Sequence, residues 1–134
     1  MKKLNTIYLP VTTAAGAGTN SVMPACAGYI DKLVVVVPAT LTADIVVEVV
    51  SDNSIAGVET IYSKTGVGAG TQHLYPRAPT IKSDGTALTS LPYVRPLFWR
   101  GDSLRITLAN SVVDGQPSTG LSVQVMCRYE TVEV

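Results

Sequence analysis

The residues that could carry out chemistry are few and stand far apart in the chain. His73 is the only histidine, and Cys26 and Cys127 are the only cysteines. A Ser/His/Asp or Cys/His scheme would need His73 as its base, but no nucleophile motif surrounds it. Zinc needs cysteine and histidine ligands at paired spacing, which these three residues lack. The sequence therefore predicts a non-enzymatic protein without metal or other cofactor, whose cysteines are either buried thiols or a disulfide pair.

Several short motifs imitate known sites. Residues 66–70 are rich in glycine, like a phosphate-binding loop, but the chain after them reads as extended and offers no helix N-terminus to an anion. Arg100-Gly101-Asp102 spells a cell-adhesion tripeptide, although Gly-Asp before an alternating run is typical of a turn that enters a strand. We expect a flexible hairpin loop at 66–70 and a turn at the tripeptide. Turns are likewise expected at acidic residues that could bind calcium but usually bond to their own backbone: Asp52, Asn53, Asp84 and Asp114.

Bulky side chains concentrate in one stretch around residue 98. Tyr, Trp and Arg are enriched at protein interfaces, which favours a contact with another protein. The alternatives are an aromatic platform for sugar rings and ordinary core packing. We predict a protein interface that also includes two residues of the N-terminal strand; its members are Tyr93, Arg95, Leu97, Phe98, Trp99, Arg100, Ile7 and Leu9.

The composition limits the class of partner. Of the 134 residues, 46% are hydrophobic and 15% are charged, and the ten basic side chains balance the ten acidic ones. Binding to nucleic acid needs a clustered excess of Lys and Arg, so we expect no nucleic-acid partner. A weakly charged surface protects poorly against association, and exposed strand edges add to this tendency. We therefore expect a symmetric homo-oligomer, most simply a trimer.

No segment predicts insertion into or export across a membrane. No apolar run approaches the length of a membrane span. Residues 4–13 are too polar and too interrupted for the hydrophobic core of a signal peptide, although Lys2 and Lys3 precede them. We expect no membrane partner.

Alternation of apolar and polar residues defines the elements that must position these side chains. In residues 103–109 and 121–130 the alternation is regular, and it predicts a long antiparallel hairpin. Residues 27–37 form a nearly continuous apolar run, which is typical of a strand covered on both faces. Two prolines allow only an edge or bent strand in 88–99. Further strands are predicted at 4–11, 44–50, 58–62 and 72–75.

These strands and the turn residues between them predict an all-β fold. Seven to eight short strands fit an antiparallel two-sheet sandwich of jelly-roll type. Residues 25–134 form the predicted sandwich domain. Residues 1–24 form an N-terminal strand or arm, which joins either its own sheet or a neighbouring subunit because residues 12–20 are small and flexible. We expect residues 1–20 to serve an interface rather than the core of the monomer.

The order of these features resembles a known family. A small-residue lead, Ala25-Cys26-Ala27-Gly28, precedes the valine-rich strand 29–37, and the Thr/Ala-rich turn 39–44 leads into a second valine strand. Later come Arg100-Gly101-Asp102-Ser103-Leu104-Arg105-Ile106 and Gly-Leu-Ser-Val-Gln-Val at 120–125. Over residues 25–130 the chain resembles small β-sandwich virion proteins of tailed bacteriophages, particularly auxiliary head proteins that decorate the capsid. Residues 63–98 depart from the family spacing, which leaves the attachment surface open.

The resemblance implies a structural role. Such a protein is non-enzymatic, often trimeric, and bound to the outer surface of the major capsid protein shell, which it stabilises. It would reside on the virion and, during assembly, in the host cytoplasm. Within the structural class, the alternative is a tail, collar or head-fibre component. From another class, the alternative is a carbohydrate-binding jelly-roll module that uses Trp99.

Overall fold

The computed structural model describes residues 3–51, 57–79, 93–99 and 101–131. Within these ranges the regular elements are twelve β-strands, eight of which have five or more residues. This confirms the predicted all-β class. The strands are β1 (Leu4–Thr12), β2 (Gly18–Val22), β3 (Gly28–Val37), β4 (Leu41–Val50), β5 (Val58–Val67), β6 (Gly70–Leu74), β7 (Ala78–Pro79), β8 (Tyr93–Val94), β9 (Leu97–Phe98), β10 (Ser103–Val113), β11 (Gln116–Pro117) and β12 (Ser122–Thr131).

Alternate residues of each long strand enter one core between two sheets. Strand β4 buries every second side chain from Leu41 to Val49, and β10 does the same from Leu104 to Leu108. Burying a Val, Leu or Ile side chain contributes about 1.5–3 kcal/mol, so this alternation is the main stabilising term. Strand β3 differs from the expectation, because Val36 is exposed and the outer face of the strand is only partly covered.

Two five-stranded antiparallel sheets form the sandwich. The first sheet has the order β1-β12-β3-β6, with β9 also beside β3, and the second has the order β11-β10-β4-β5, with β2 also beside β10. Among the eight long strands in chain order, the first pairs with the eighth, the second with the seventh, the third with the sixth and the fourth with the fifth. This nested pairing, wrapped into two sheets, is a jelly roll.

The predicted hairpin between residues 103–109 and 121–130 is wrong. Strand β10 lies between β4 and β2 in the second sheet, whereas β12 lies between β1 and β3 in the first. Strand β10 instead forms a short hairpin with β11. Asp114 and Gly115 close it with φ angles of 51° and 77°, and two such residues give a turn that suits the twist of the strands.

The N-terminal segment belongs to the sandwich of its own chain. Strand β1 pairs with β12 along its whole length, and β2 pairs with β10. Between them, the backbone N–H of Gly16 donates to Ser118 O at 2.9 Å, and the N–H of Ser111 donates to Gly16 O at 2.9 Å. Leu9 lies in the core, so the expectation that residues 1–20 stay outside the core of the monomer is corrected. Small residues here allow close backbone packing rather than a loose arm.

Replacing Gly18 by alanine should test this packing. A Cβ atom at residue 18 would lie 2.6 Å from the carbonyl oxygen of Thr12, which is backbone and cannot easily move. We expect Gly18→Ala to lower the free energy of unfolding by about 1–3 kcal/mol. Gly68→Ala is the matched control, because a Cβ at Gly68 meets nothing within 4 Å. Urea denaturation of both variants checks this, and equal stability of the two would contradict the packing of the N-terminal segment.

The open edge of the second sheet is poorly suited to pairing with another strand. In the described part of the chain, β5 pairs only with β4, and the register shifts twice along this ladder, between Ala43 and Ile45 and between Val47 and Glu48. Irregularities of this kind twist an edge and hinder the addition of a further strand. A contact with another subunit is therefore better sought on a face of the sandwich than at this edge.

Candidate interaction surface

The outer face of the first sheet carries a row of side chains that crosses four strands. Tyr8 of β1 stands opposite Met126 of β12, Met126 opposite Val34 of β3, and Val34 opposite His73 of β6. Tyr8 is 73% exposed, although it lies in the middle of a nine-residue strand. A second row runs parallel to the first and consists of Pro10, Gln124, Val36 and Thr71.

Between these rows lies an apolar groove, which we define by Tyr8, Val34, Val36 and Met126. Its volume is about 300 Å³. The centres of protein interfaces are enriched in aromatic residues and Met and depleted of charge, and this groove has that composition. The face is therefore suited to a protein partner.

One ion pair and one cation–π contact border the groove on one side. Arg128 of β12 donates from Nη2 to Asp31 Oδ2 at 2.7 Å and from Nε to the same oxygen at 3.0 Å. Lys32, opposite Arg128 on β3, places Nζ 5.6 Å from the centre of the Tyr75 ring. Both basic residues keep part of their surface open to solvent. The groove thus has a polar rim that could orient a partner by its charges.

The residues that the sequence predicts as an interface are scattered by the fold. Phe98 is 2% exposed and Leu9 is 5% exposed, so both belong to the core and the expectation for these two is corrected. Ile7 is half-buried and packs against the core. Leu97 is half-buried, whereas Trp99 is 63% exposed at one end of the sandwich. Adjacent residues 98 and 99 therefore have opposite environments.

Arg95 is held by its own chain. Its Nη1 donates to Glu130 Oε2 at 3.0 Å, and its guanidinium carbon lies 5.1 Å from the centre of the Tyr29 ring. The side chain of Tyr93 and the whole of Arg100 lie outside the described residues, as do residues 88–92 of the predicted edge strand. The described remainder of that strand is two short pieces, β8 and β9, as expected from its prolines.

Sequence reasoning missed the apolar groove. A signal for it was present, because Met126 occupies the otherwise polar phase of β12 and Tyr8 occupies the exposed phase of β1. Only the sheet order brings them together, since they are far apart in the chain.

Neither cysteine is in a disulfide bond. Cys127 is buried in the core, and burial raises the pKa of its thiol to about 12. Because the pKa in the folded state lies above that of the unfolded thiol, folding stability should fall as pH rises from 9 toward 12.

At pH 8, iodoacetamide should modify Cys127 only after denaturation, as mass spectrometry of the peptides would show. Rapid modification of Cys127 in the native protein would contradict its burial.

Where the structure describes them, the motifs that imitate sites lie at the ends of strands or in turns. The backbone N–H of Gly66 donates to Asp44 Oδ1 at 2.8 Å, and Asn110 Nδ2 donates to Asp44 Oδ2 at 2.8 Å. Both bonds lower the pKa of Asp44, and the bond from Asn110 has the larger effect. At the start of β10, the N–H of Asp102 donates to Trp99 O at 3.1 Å in the turn that enters the strand. Asp52, Asn53 and Asp84 lie outside the described residues.

The described residues include neither a membrane-spanning helix nor a cluster of metal ligands. No helix in them is long and apolar enough to cross a membrane. They also contain no group of three or more His, Cys, Asp or Glu residues placed to hold a metal ion.

The strand order defines the class of this protein as a jelly-roll sandwich, a fold found in viral capsid domains and in lectins. No protein-family model matches the chain, and no curated protein sequence matches it. Among solved structures, it is similar to a chain in the structure of infectious bursal disease virus Gx strain, with 12% identity and a TM-score of 0.31. The match covers 98% of this chain and 42% of that chain. A similarity this weak adds nothing about function.

Proposed function

We propose that this chain is a virion structural protein of a tailed bacteriophage that decorates the outer surface of the major capsid protein shell and stabilises it. The observation that carries the proposal is the jelly-roll strand order, because capsid domains of viruses use this fold. The resemblance of residues 25–130 to auxiliary head proteins supports the same role. The place of action would be the capsid surface, after assembly in the host cytoplasm.

The apolar groove is the proposed contact with the capsid shell. Its centre combines an exposed Tyr and a half-buried Met with two Val side chains, and the ion-paired Arg128 lies at its rim. This arrangement matches a protein interface, with a weakly charged centre and a polar border. Attachment would bury apolar surface that the described chain leaves exposed, which favours association through the hydrophobic effect.

The proposed assembly state is a trimer. The low proportion of charged residues, 15%, supports association of copies. The irregular pairing of β5 with β4 argues against strand addition at that edge. A closed ring in which three subunits meet through faces of their sandwiches is therefore the simpler arrangement. Light scattering with and without capsids would measure the state, and a protein that stays monomeric in both would contradict the trimer.

Detection in purified particles tests the proposal. Tryptic peptides of this chain should appear in mass spectra of density-purified virions, and antibodies against it should label intact particles in immunogold microscopy. Label over the head supports capsid decoration. Label at the neck or tail would instead favour a collar, tail or head-fibre component, and absence of the chain from particles would contradict any virion role.

A further inference from the structure

Trp99 is exposed at one end of the sandwich, and hydrogen bonds hold its backbone in place. Its backbone N–H donates to Asp102 Oδ2 at 2.9 Å, and its carbonyl accepts from the N–H of Asp102 at 3.1 Å. Asp102 is itself buried, so this two-bond turn has little freedom to move. These bonds hold the backbone from which the indole projects, which lowers the entropy cost of binding.

The indole borders a cleft of about 200 Å³. Val49 and Leu97 supply further apolar surface, and Glu59 supplies a solvent-accessible carboxylate. Glu59 of β5 is paired with Val49 of β4, so the two side chains lie on the same face of the second sheet. Val49 is buried on that face, and both residues line the cleft. Ligand pockets are usually about 300–1,000 Å³, so this smaller cleft suits a single ring.

The charge of the cleft selects among single-ring ligands. Its described lining contains two acidic residues, Glu59 and Asp102, whose negative charge disfavours phosphorylated, sulfated and other anionic rings. Recognition of a quaternary ammonium group uses a cage of several aromatic faces, whereas the described lining has one. A neutral sugar ring suits the cleft, because its C–H face can cover the indole while its hydroxyls donate to a carboxylate.

We infer that the Trp99 cleft is a subsite for one neutral hexose, with the indole as the stacking surface and Glu59 as the hydroxyl acceptor. This inference goes beyond the proposed attachment to a capsid, since the cleft and the apolar groove share no residue. On the surface of a particle, many copies of a weak subsite would bind a glycan-coated surface by multivalency.

Tryptophan fluorescence measures this directly, because Trp99 is the only tryptophan of the chain. We expect quenching or a spectral shift on titration with at least one of glucose, galactose, mannose or N-acetylglucosamine, with a Kd of about 1–10 mM for a ligand of this size. Glu59→Gln should weaken binding about tenfold, since it removes the charge but keeps the size of the side chain. Tyr75→Ala is the control, because Tyr75 is also exposed but lies outside the cleft.

Trp99→Ala lacks the fluorophore, so its binding is measured by saturation-transfer NMR with the same sugars and should be lost. The melting temperatures of all variants establish that they are folded. The inference is overturned if no neutral hexose perturbs Trp99, if Glu59→Gln and Trp99→Ala bind as the parent chain does, or if choline chloride gives the response and the sugars do not. Failure here leaves the detection of the chain in virions unaffected, so the two proposals are separable.

Discussion

Phe98→Ala is expected to lower the free energy of unfolding by about 3–5 kcal/mol, the range for large-to-small changes of a buried aromatic side chain. Phe98 is 2% exposed, and its ring meets that of Tyr129 edge to face, with centroids 5.0 Å apart and planes at 69°. Strand β9 holds it there, since Phe98 pairs with Gly28 of β3. A Cβ at Gly28 would lie 2.6 Å from Tyr129 Cδ2, so the backbone of β3 approaches this aromatic pair closely.

Trp99→Ala is the matched comparison, since it removes a larger aromatic side chain one residue away. Because Trp99 is mostly exposed, we expect its loss to change the free energy of unfolding by no more than about 0.5 kcal/mol. Guanidinium denaturation followed by circular dichroism measures both variants without relying on tryptophan fluorescence. Similar losses at the two positions would show that residue 99 packs into the fold, contrary to the structure.

Val36→Lys is expected to weaken binding to capsids by about 30-fold or more, which corresponds to about 2 kcal/mol at the centre of an interface. Val36 lines the apolar groove and is partly exposed, so a lysine should be tolerated by the free protein. A partner seated on the groove would have to bury the new charge. The measurement is sedimentation of labelled protein with capsids that lack it, and it rests on the proposed function.

Val58→Lys provides the control for this effect. Val58 is also an exposed valine, but it lies on β5 at the edge of the second sheet, away from the groove. We expect Val58→Lys to bind capsids as the parent chain does. Capsid binding that survives Val36→Lys but is lost with Val58→Lys would move the attachment surface to the second sheet.

The sequence by itself determined the local properties of the chain. Alternation in β4 and β10 correctly predicted which side chains enter the core, because the pleat of a strand sends successive residues to opposite faces. Asp114-Gly115 correctly predicted a tight turn, since two residues with positive φ suit aspartate and glycine. The glycine-rich residues near 66–70 correctly predicted a loop between two strands but not its kind, because β5 and β6 belong to different sheets and form no hairpin.

The tertiary structure alone decided which strands become neighbours and which side chains meet. Strand β12 shows the same alternation whether it pairs with β10 or with β1 and β3, so periodicity could not identify its partners. The apolar groove likewise depends on strand order, because its residues come from β1, β3 and β12, which are far apart in the chain. Phe98 and Trp99 were equally plausible interface residues, and only the position of β9 beside β3 buries one and exposes the other. Pairing across a sheet depends on packing between distant segments, which no local pattern encodes.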